Sequence, residues 1–592
     1  MVPSGVFVSA IVADAVDDIF ERLAERSIAP GIAYGVVIDG ELAHAQGLGT
    51  RRVGADARPD ASSIFRIASM TKSFTAAAVL LLRDEGRLRL DDPVADWVPD
   101  LAGLAGPTAD APRMSIEHLL TMSAGFPTDD PWGDRQQGLE LDRFAAFLRE
   151  GPSLAWTPGT RFDYSNLGYG ILGRVVTAAG GVEYREFVQR RLLEPVGMTA
   201  TTFLPEAVPE ERRALGYVRR DDSWVDEPSD PYGALAAMGG ILTSIDDLAR
   251  WVVGFTDAFP PRDDPAGTHP LSRASRREMQ EVHRSFPPEL SWATADASPN
   301  LVSGGYGYGL FVFDDLRLGR VVGHGGGYPG FGSHMRWHPA SGIGVIAFAN
   351  ARYAQLGVPV AAALAELVGH ERRRVRRIAP WPATTSARAA VERLLERWDD
   401  AEADRLFAMN VELDEPIARR RATIERLRAA HGGLRPDPSE PPKSDSPAHL
   451  EWWMRGERGR VKVEILLDPE RPPRVQALKL TSVPEPPAGL AAIAATLTGL
   501  LGESGPAWPA DLPLASSADR AAIERGLRAA EARFGPVLLG QPVAGDGERT
   551  GAWILKGDRG EVELRLELDG PSGAIVGAHF VPRTMSGPED AP

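Results

Sequence analysis

The sequence predicts an α/β (α+β) domain with an antiparallel sheet and a helical subdomain, followed by two small repeated α+β domains. Three observations predict this fold class. Strand-like apolar segments lie near both ends of residues 1–370, helical patterns and long loops fill the stretch between them, and the C-terminal third contains an internal repeat. The predicted boundaries are 1–370 for the first domain, 371–385 for a linker, 386–485 for the first repeat and 486–592 for the second.

Composition limits the classes of function. The chain has 592 residues, 43% hydrophobic residues and a formal net charge of −16, so we expect several packed domains and no nucleic-acid partner. It contains no cysteine, which excludes disulfides, thiolate nucleophiles and cysteine-ligated zinc. Residues 1–31 lack a basic segment, and Asp14, Asp17 and Asp18 interrupt their apolar run. We therefore expect no secretory signal, no membrane partner and a cytoplasmic location.

The first domain begins with a helix and a hairpin. Val12, Val16, Ile19, Phe20 and Leu23 recur with helical spacing on one face. "IAYGVVIDGELAHAQGLG" follows, in which Asp39-Gly40 joins two apolar runs as a hairpin turn. Near residue 350, "SGIGVIAFAN" predicts a closing strand, and "VPVAAALAELVGH" predicts a final helix.

Beyond a basic, proline-containing stretch, "ERRRVRRIAPWPATTS", the chain repeats itself. We interpret that stretch as a solvated linker rather than a nucleic-acid patch, because it is short and isolated in an acidic chain. "ATIERLRAAHGGLRP" and "WWMRGERGRVKVEILLD" resemble "AAIERGLRAAEARFGP" and "AWILKGDRGEVELRLELD". Each copy combines a helical pattern with a strand in which apolar and polar residues alternate, and neither copy contains a group of candidate catalytic residues. The repeats are predicted to be packing or substrate-gating modules.

A serine and a lysine, three positions apart, form the first candidate for catalytic chemistry. Ser69 and Lys72 precede a long apolar helical pattern in "SSIFRIASMTKSFTAAAVLLLRDEGRL". If Ser69 begins the helix, Lys72 lies one turn further on the same face, and its amine can approach the hydroxyl. Burial and the positive end of the helix dipole favour the neutral amine that a general base requires. For this pair taken alone, the alternative is that both side chains are solvent-exposed and have no catalytic role.

The second candidate is Tyr164-Ser165-Asn166 in "WTPGTRFDYSNLGYGILGRVV". Tyr164 could be a core aromatic and Asn166 a helix cap. Alternatively, the phenol moves a proton between nucleophile and leaving group, and the Asn166 amide holds a substrate carbonyl. The motif by itself leaves both interpretations open.

The third candidate is "VVGHGGGYPGFG", residues 321–332. A stretch of this composition could form a phosphate-binding loop, a metal site or one wall of a hydrolase pocket. The residues after the glycines have the pattern of a strand, whereas in a phosphate-binding loop Gly-Lys-Ser/Thr begins a helix. The sequence therefore disfavours a phosphate loop. His324, His334 and His338 lack the helical pairing and carboxylate partner of a metal site. Successive glycines on a strand admit a bound chain and leave N–H groups accessible to an oxyanion.

Ser69-Met70-Thr71-Lys72, Tyr164-Ser165-Asn166 and His324-Gly325-Gly326 occur in the order found in serine hydrolases related to class C β-lactamases and penicillin-binding proteins. "SIEHLLTMSAGFP" and "AAMGGILTSIDDLARW" also look like stretches of that superfamily, so the resemblance covers about residues 10–370. It implies a β-lactamase/transpeptidase-like fold, with neither a cofactor nor a metal.

The resemblance also implies roles for individual residues. Ser69 would be the nucleophile that forms an acyl-enzyme, with Lys72 and Tyr164 moving protons. The remaining implied roles are oxyanion donors from the backbone N–H groups of Ser69 and Gly327, substrate binding by Asn166, Gly325 and Gly326, and a catalytic His324 in place of the lysine of the usual Lys-Thr/Ser-Gly box.

His324 and Gly325 depart from the β-lactamase pattern, because neither supplies the permanent cation and hydroxyl that hold a β-lactam carboxylate. A histidine partly charged near neutrality predicts a rate limb near roughly pH 6.5 and poor β-lactam hydrolysis. His-Gly-Gly here looks more like the D-stereospecific aminopeptidases and some esterases. The aminopeptidases carry C-terminal β-barrels, whereas a helix precedes the strands of each repeat here.

Three functions are compatible with the sequence. The leading hypothesis is a serine hydrolase that cleaves a small-molecule or short-peptide amide or ester through a Ser69 acyl-enzyme, possibly with D-stereospecificity. The second is an acyltransferase or peptide cyclase that uses the same intermediate, and the third is a non-catalytic binding homologue. The sequence leaves the substrate and the oligomeric state open.

Overall fold

The computed structural model of the chain describes residues 10–264, 267–291, 300–315, 318–371, 378–502, 512–557, 560–570 and 573–582. The chain forms two compact units, Met1–Val375 and Arg376–Pro592. Residues 1–9 and residues 372–377 of the predicted linker lie outside the described residues. Helix α14 begins at Pro382, so the last four residues of the predicted linker belong to a helix instead.

The first unit contains an antiparallel nine-stranded sheet in the order β2-β1-β13-β12-β11-β10-β9-β7, with β8 also paired to β9. Two short two-stranded ribbons, β3-β6 and β4-β5, lie outside it. The strands are β1 Gly31–Ile38, β2 Glu41–Gly49, β3 Phe65–Arg66, β4 Tyr217–Arg220, β5 Ser223–Asp226, β6 Leu242–Thr243, β7 Arg284–Ser285, β8 Glu289–Ser291, β9 Asn300–Tyr306, β10 Phe311–Asp315, β11 Gly319–Tyr328, β12 Phe331–His338 and β13 Ile343–Ala349.

Most helices of this unit lie in the chain between β2 and β7, as the sequence predicts for the helical subdomain. They are α1 Ala10–Glu25, α2 Thr71–Asp84, α3 Val94–Trp97, α4 Ile116–Leu120, α5 Asp130–Gly133, α6 Leu141–Glu150, α7 Asn166–Gly180, α8 Tyr184–Val188, α9 Glu194–Val196, α10 Ala236–Gly239, α11 Ile245–Thr256, α12 Arg273–Glu278 and α13 Gly357–Glu371.

Both faces of the sheet are covered, which explains why every residue of β1 is buried. On one face, Phe20 of α1 and Leu364 of α13 share a core with Val36. On the other face, Val37 belongs to the larger core that includes α2, α7 and α11. Between β1 and β2, Asp39 and Gly40 both take positive φ, as a two-residue hairpin turn requires. The predicted antiparallel sheet with its helical subdomain is therefore confirmed.

The second unit contains two four-stranded antiparallel sheets, β14-β15-β16-β17 and β18-β19-β20-β21, which confirms the predicted pair of small α+β repeats. Its elements are α14 Pro382–Glu396, α15 Asp400–Leu406, α16 Met409–Asp414, α17 Ile417–His431, β14 Arg435–Pro436, β15 His449–Gly456, β16 Gly459–Leu467, β17 Val475–Pro484, α18 Ala488–Gly499, α19 Arg520–Phe534, β18 Val537–Gly545, β19 Thr550–Gly557, β20 Gly560–Leu568 and β21 Ile575–Pro582.

The central strands of the two repeats match in detail. β16 and β20 both begin at a glycine with positive φ, Gly459 at 139° and Gly560 at 138°. Both strands lose regular register with the next strand at their last residue. The alternating apolar residues predicted for them all face a core: Val461, Val463, Ile465 and Leu467 in β16, and Val562, Leu564, Leu566 and Leu568 in β20.

No helix in the described part of the chain is both long enough and apolar enough to cross a membrane.

Candidate active site

The first site element is a short 3₁₀ turn, Ala68–Met70, between β3 and α2. Ser69 therefore precedes α2 by two residues rather than beginning it, and its side chain remains close to the helix. Ala68 takes a φ of 48°, in the left-handed region that a residue with a Cβ rarely adopts. Strained residues of this kind cluster at functional sites, where the surrounding structure holds them in place.

Lys72, on the first turn of α2, contacts the serine as the sequence predicts. Its Nζ lies 2.9 Å from Ser69 Oγ, 2.7 Å from Asn166 Oδ1 and 2.8 Å from the Met238 carbonyl oxygen. The side chain is fully buried, and this burial lowers the pKa of Lys72 to about 8, although three nearby aspartates act in the opposite direction. The serine thus faces an amine that is neutral in a substantial fraction of molecules near pH 8.

Tyr164 lies just before α7 and contacts both members of this pair. Ser69 hydrogen-bonds the Tyr164 hydroxyl, and Lys72 Nζ lies 4.9 Å from the centroid of the ring. Burial raises the pKa of Tyr164 well above its ordinary value, so the phenol keeps its proton at neutral pH. The structure therefore brings Ser69, Lys72 and Tyr164 together, and their catalytic roles remain predictions.

Asn166 occupies a different environment from the one expected. The helix cap is Ser165, whose Oγ accepts a hydrogen bond from Gly168 N at 3.1 Å. Asn166 is fully buried; its Oδ1 accepts from Lys72, and its Nδ2 donates to Asp130 Oδ1 at 2.8 Å. An amide that is buried and bonded in this way can position Lys72. The substrate-binding role of Asn166 stays a prediction.

His324, on β11, differs from the sequence-based expectation in its charge state. It is 2% exposed; its Nδ1 lies 2.6 Å from the Gly325 carbonyl oxygen, and its Nε2 lies 3.1 Å from the Tyr306 hydroxyl. A carbonyl can only accept, so Nδ1 carries the proton and Nε2 accepts from Tyr306. Burial, reinforced by the charge of Lys72, lowers the pKa of His324 to about 3. This pKa contradicts the expectation of a histidine that is partly charged near neutrality, and it removes the basis for a rate limb near pH 6.5.

The three glycines after His324 are partly exposed and lie beside the nucleophile turn. A Cβ added at Gly326 would overlap the Ile67 carbonyl oxygen and Ser333 Oγ, and these two atoms are themselves hydrogen-bonded at 2.8 Å. Only glycine permits β11 to approach the turn so closely. The assignment of Gly325 and Gly326 to substrate binding, and of the Ser69 and Gly327 N–H groups to an oxyanion hole, remains a prediction.

β11 also presents an open edge at this position. β10 pairs with β11 only as far as Phe311 opposite Gly323, and within the described ranges no other strand pairs with that edge from His324 to Tyr328. Unpaired N–H and C=O groups on a strand edge are a template for an extended peptide.

Sequence reasoning missed an acidic segment, Asp129–Gln137, that borders the site. The Asp129 carboxylate accepts from the backbone N–H groups of Asn166 and Leu167 at 2.6 and 2.9 Å, which anchors the start of α7. Asp134 Oδ2 accepts from the Tyr353 hydroxyl at 2.8 Å, and burial raises the pKa of Asp134 to about 6. The signal in the sequence was three aspartates within "TDDPWGD", immediately after "SAGFP".

Among the described residues, no group of three or more histidine or acidic side chains is placed to hold a metal ion. His338 Nδ1 contacts Ser341 Oγ at 2.8 Å, and His334 lies beside Gly325.

We predict that a serine-dependent reaction at this site depends on pH through Lys72 rather than through His324. We expect kcat/KM to rise with pH through an apparent pKa near 8, because only the neutral amine accepts the serine proton. Below that value the rate should fall about tenfold per pH unit. The measurement is a pH–rate profile for wild type and His324→Gln. Both proteins should show the same limb, whereas a limb near pH 6.5 that disappears in His324→Gln would restore the titrating histidine.

Comparisons with known proteins concern the family and the fold of the chain. A family model described as "Beta-lactamase" matches residues 16–369. The chain is 27% identical over 336 residues to the D-alanyl-D-alanine-carboxypeptidase/endopeptidase AmpH of Escherichia coli (strain K12), covering 56% of this chain and 82% of AmpH. It is 25% identical over 359 residues to Protein flp of Staphylococcus aureus (strain COL), covering 60% of this chain and 67% of flp.

A solved structure, the octameric penicillin-binding protein homologue from Pyrococcus abyssi, is similar in fold. The TM-score is 0.52 at 20% sequence identity, and the match covers 94% of this chain and 96% of that one. At this identity the likeness concerns the fold alone.

Proposed function

Since the chain belongs to the beta-lactamase family, we propose that it is a serine hydrolase that cleaves a small peptide, amide or ester through a Ser69 acyl-enzyme. The observation that carries the proposal is the contact of 2.9 Å between Lys72 Nζ and Ser69 Oγ in a buried environment. A buried amine with a lowered pKa is the feature that makes a weak serine nucleophile reactive.

The proposed reaction has two steps. Ser69 Oγ attacks the carbonyl carbon, its proton passes to neutral Lys72, and backbone N–H groups of Ser69 and Gly327 stabilise the oxyanion. The bond to the leaving oxygen or nitrogen then breaks, Tyr164 donates its proton to the leaving group, and Lys72 reprotonates Tyr164. In the second step water attacks the serine ester, the released acid departs, and the serine recovers its proton through the same groups.

Two observations narrow the proposed substrate. His324 is neutral and Gly325 has no side chain, so this part of β11 offers no charged group for the carboxylate of a β-lactam. The open edge of β11 suits an extended acyl chain. The name of AmpH, a D-alanyl-D-alanine-carboxypeptidase/endopeptidase, supports a D-residue in the substrate. It does not extend to the terminal carboxylate of a carboxypeptidase substrate, for which His324 and Gly325 offer no charge. We therefore favour D-aminoacyl amides and esters over β-lactams.

The test uses an activity-based probe. We expect a fluorophosphonate to label wild type at Ser69, with no labelling of Ser69→Ala, because the hydroxyl forms the bond to phosphorus. Mass spectrometry of the modified peptide locates the adduct. Undiminished labelling of Ser69→Ala would overturn the proposal.

A substrate panel then separates the possible activities. It contains chromogenic D- and L-aminoacyl amides, short-chain esters and a cephalosporin, each tested on wild type and Ser69→Ala. Adding a competing amine distinguishes hydrolysis from acyl transfer, since a transferase would give the amide product of that amine. Turnover by wild type that is lost in Lys72→Ala would exclude a non-catalytic binding role.

A further inference from the structure

A cavity of about 640 Å³ lies in the first unit, bordered by the turn between β1 and β2, by α9, α11 and α12, and by residues 267–269. Small-molecule sites in proteins commonly have volumes of about 300–1,000 Å³. Part of the wall is apolar and is formed by Leu42, Val196, Ala249 and Val253. The cavity is therefore large enough for a small organic molecule, and it offers contacts to a carbon skeleton.

Three guanidinium groups meet two carboxylates beside α12. Arg262, Arg273 and Arg276 all form ion pairs with Asp257, and the first two also pair with Asp264. Arg273 and Arg276, which line the cavity, are only 10% and 1% exposed, whereas Asp257 is 38% exposed. This group of five side chains thus carries one positive charge in excess, and its positive charges are the more deeply buried.

Arg276 is the guanidinium group with the weakest compensation. Its Nη1 and Nη2 lie 3.4 and 3.5 Å from Asp257 Oδ2, which is longer than an ordinary charge-assisted hydrogen bond. Nη1 also donates to the Gly254 carbonyl oxygen, and within the described ranges Nε has no acceptor. Burial lowers the pKa of Arg276, although Asp257 acts in the opposite direction. A bound carboxylate would supply both the missing acceptor and the missing charge.

The other charged groups of the lining lie closer to solvent. Glu41 is exposed, Asp246 is partly exposed and Arg250 is half exposed. Water and salt screen such charges, whereas charges removed from water interact more strongly with a bound molecule. We therefore expect the two buried guanidinium groups, rather than the groups near solvent, to select the charge of a ligand.

Buried aromatic side chains separate this cavity from the proposed catalytic residues. His269 lines the cavity, and its ring centroid lies 5.8 Å from that of Trp251. The Trp251 ring stacks on Phe74 at 4.0 Å, and its Nε1 donates to Ser73 Oγ at 3.0 Å. Ser73 is the residue after Lys72 on α2. Trp251 thus lies between the cavity and the helix that carries the proposed base, so a molecule in the cavity would not contact Ser69.

We propose that this cavity is a second ligand site, which binds an organic anion that joins a carboxylate to an apolar group. The carboxylate pairs with Arg273 and Arg276, and the apolar group packs against the side chains of α11 and the β1–β2 turn. The inference concerns binding alone and does not depend on the reaction proposed for Ser69.

The test is isothermal titration calorimetry of the full chain with three probes. They are 4-phenylbutanoate, 4-phenylbutylammonium, which has the same apolar group and the opposite charge, and acetate, which has the charge without the apolar group. We expect 4-phenylbutanoate to bind at least about tenfold more tightly than either of the others, because each lacks one of the two contacts. Arg276→Gln should weaken its binding by about tenfold or more, with thermal melting to verify folding.

A pair of variants at Thr268 locates the ligand without disturbing the buried ion pairs. Thr268 is exposed and lines the cavity, so Thr268→Glu should weaken the binding of 4-phenylbutanoate by about three- to fivefold, and Thr268→Lys should strengthen it by a similar factor. Thr385→Glu makes the same change at an exposed position on α14 and should leave the affinity unchanged.

Three results would overturn the inference. The first is no binding of 4-phenylbutanoate to wild type up to about 10 mM, well beyond the millimolar dissociation constants of weak ligands. The second is binding of 4-phenylbutylammonium or acetate as tight as that of 4-phenylbutanoate, which would contradict the assigned class of ligand. The third is an equal affinity of Thr268→Glu, Thr268→Lys and wild type for 4-phenylbutanoate, which would place the bound molecule elsewhere.

Discussion

Replacement of Lys72 by methionine is expected to lower kcat/KM by about 10²–10⁴-fold, the range attributed to a general base. Methionine keeps most of the side-chain volume but has no amine to accept the Ser69 proton at 2.9 Å. Of the side chains that contact Ser69, Tyr164 cannot take over, because burial holds its pKa well above its ordinary value and it stays protonated. The measurement is kcat/KM on a chromogenic ester at pH 8, with thermal melting to verify folding.

Two controls sharpen this result. Lys479→Met removes an exposed lysine, 71% accessible, from the C-terminal unit and should leave kcat/KM unchanged. The double variant Ser69→Ala/Lys72→Met should be no slower than Ser69→Ala, because residues that act as one unit are not additive. Retention of more than about a tenth of the wild-type kcat/KM by folded Lys72→Met would contradict a general-base role.

Substitution of Gly326 by alanine is expected to lower kcat/KM by about 10²-fold, the cost of misplacing catalytic groups by about 1 Å. The added methyl group would overlap the Ile67 carbonyl oxygen and Ser333 Oγ, so β11 has to move away from the turn that carries Ser69. Overpacking of this kind should also cost about 1–3 kcal/mol in the free energy of unfolding. The two quantities are measured by ester hydrolysis and by urea denaturation.

Gly369→Ala is the matched control for this substitution. Gly369 is exposed on α13, and a Cβ there would meet no atom within 4 Å, so alanine should leave activity unchanged and stabilise the helix slightly. Wild-type kcat/KM in Gly326→Ala, with its unfolding free energy also unchanged, would show that the glycine strand does not need its close approach to the nucleophile turn.

Local patterns in the sequence were sufficient to predict the features that backbone geometry alone determines. The three-residue spacing of Ser69 and Lys72 brings their side chains together because one helical turn separates them, even though the serine lies on a 3₁₀ turn. The alternation in β16 and β20 predicted which side chains are buried, because successive side chains of a strand face opposite sides. Asp39-Gly40 predicted its hairpin because both residues adopt the positive φ that a two-residue turn requires.

Charge and accessibility could not be predicted in this way. The sequence predicted a His324 that is partly charged near neutrality, which its burial contradicts, and it did not predict that Asn166 is bonded to Lys72. Neither point concerns the identity or the order of the motifs. Each concerns the groups that lie next to the residue in the folded chain, such as Tyr306 against His324 and Asp130 against Asn166.

The sequence by itself determined the family-like order of the three motifs, the serine–lysine spacing and the repeat of the C-terminal third. Only the tertiary structure decided that Lys72 is buried against Asn166 and Met238, that His324 is neutral, and that an acidic segment borders the site. The physical reason is that desolvation and Coulomb interactions depend on neighbours in space, and the partners of Lys72 lie 94 and 166 positions away along the chain.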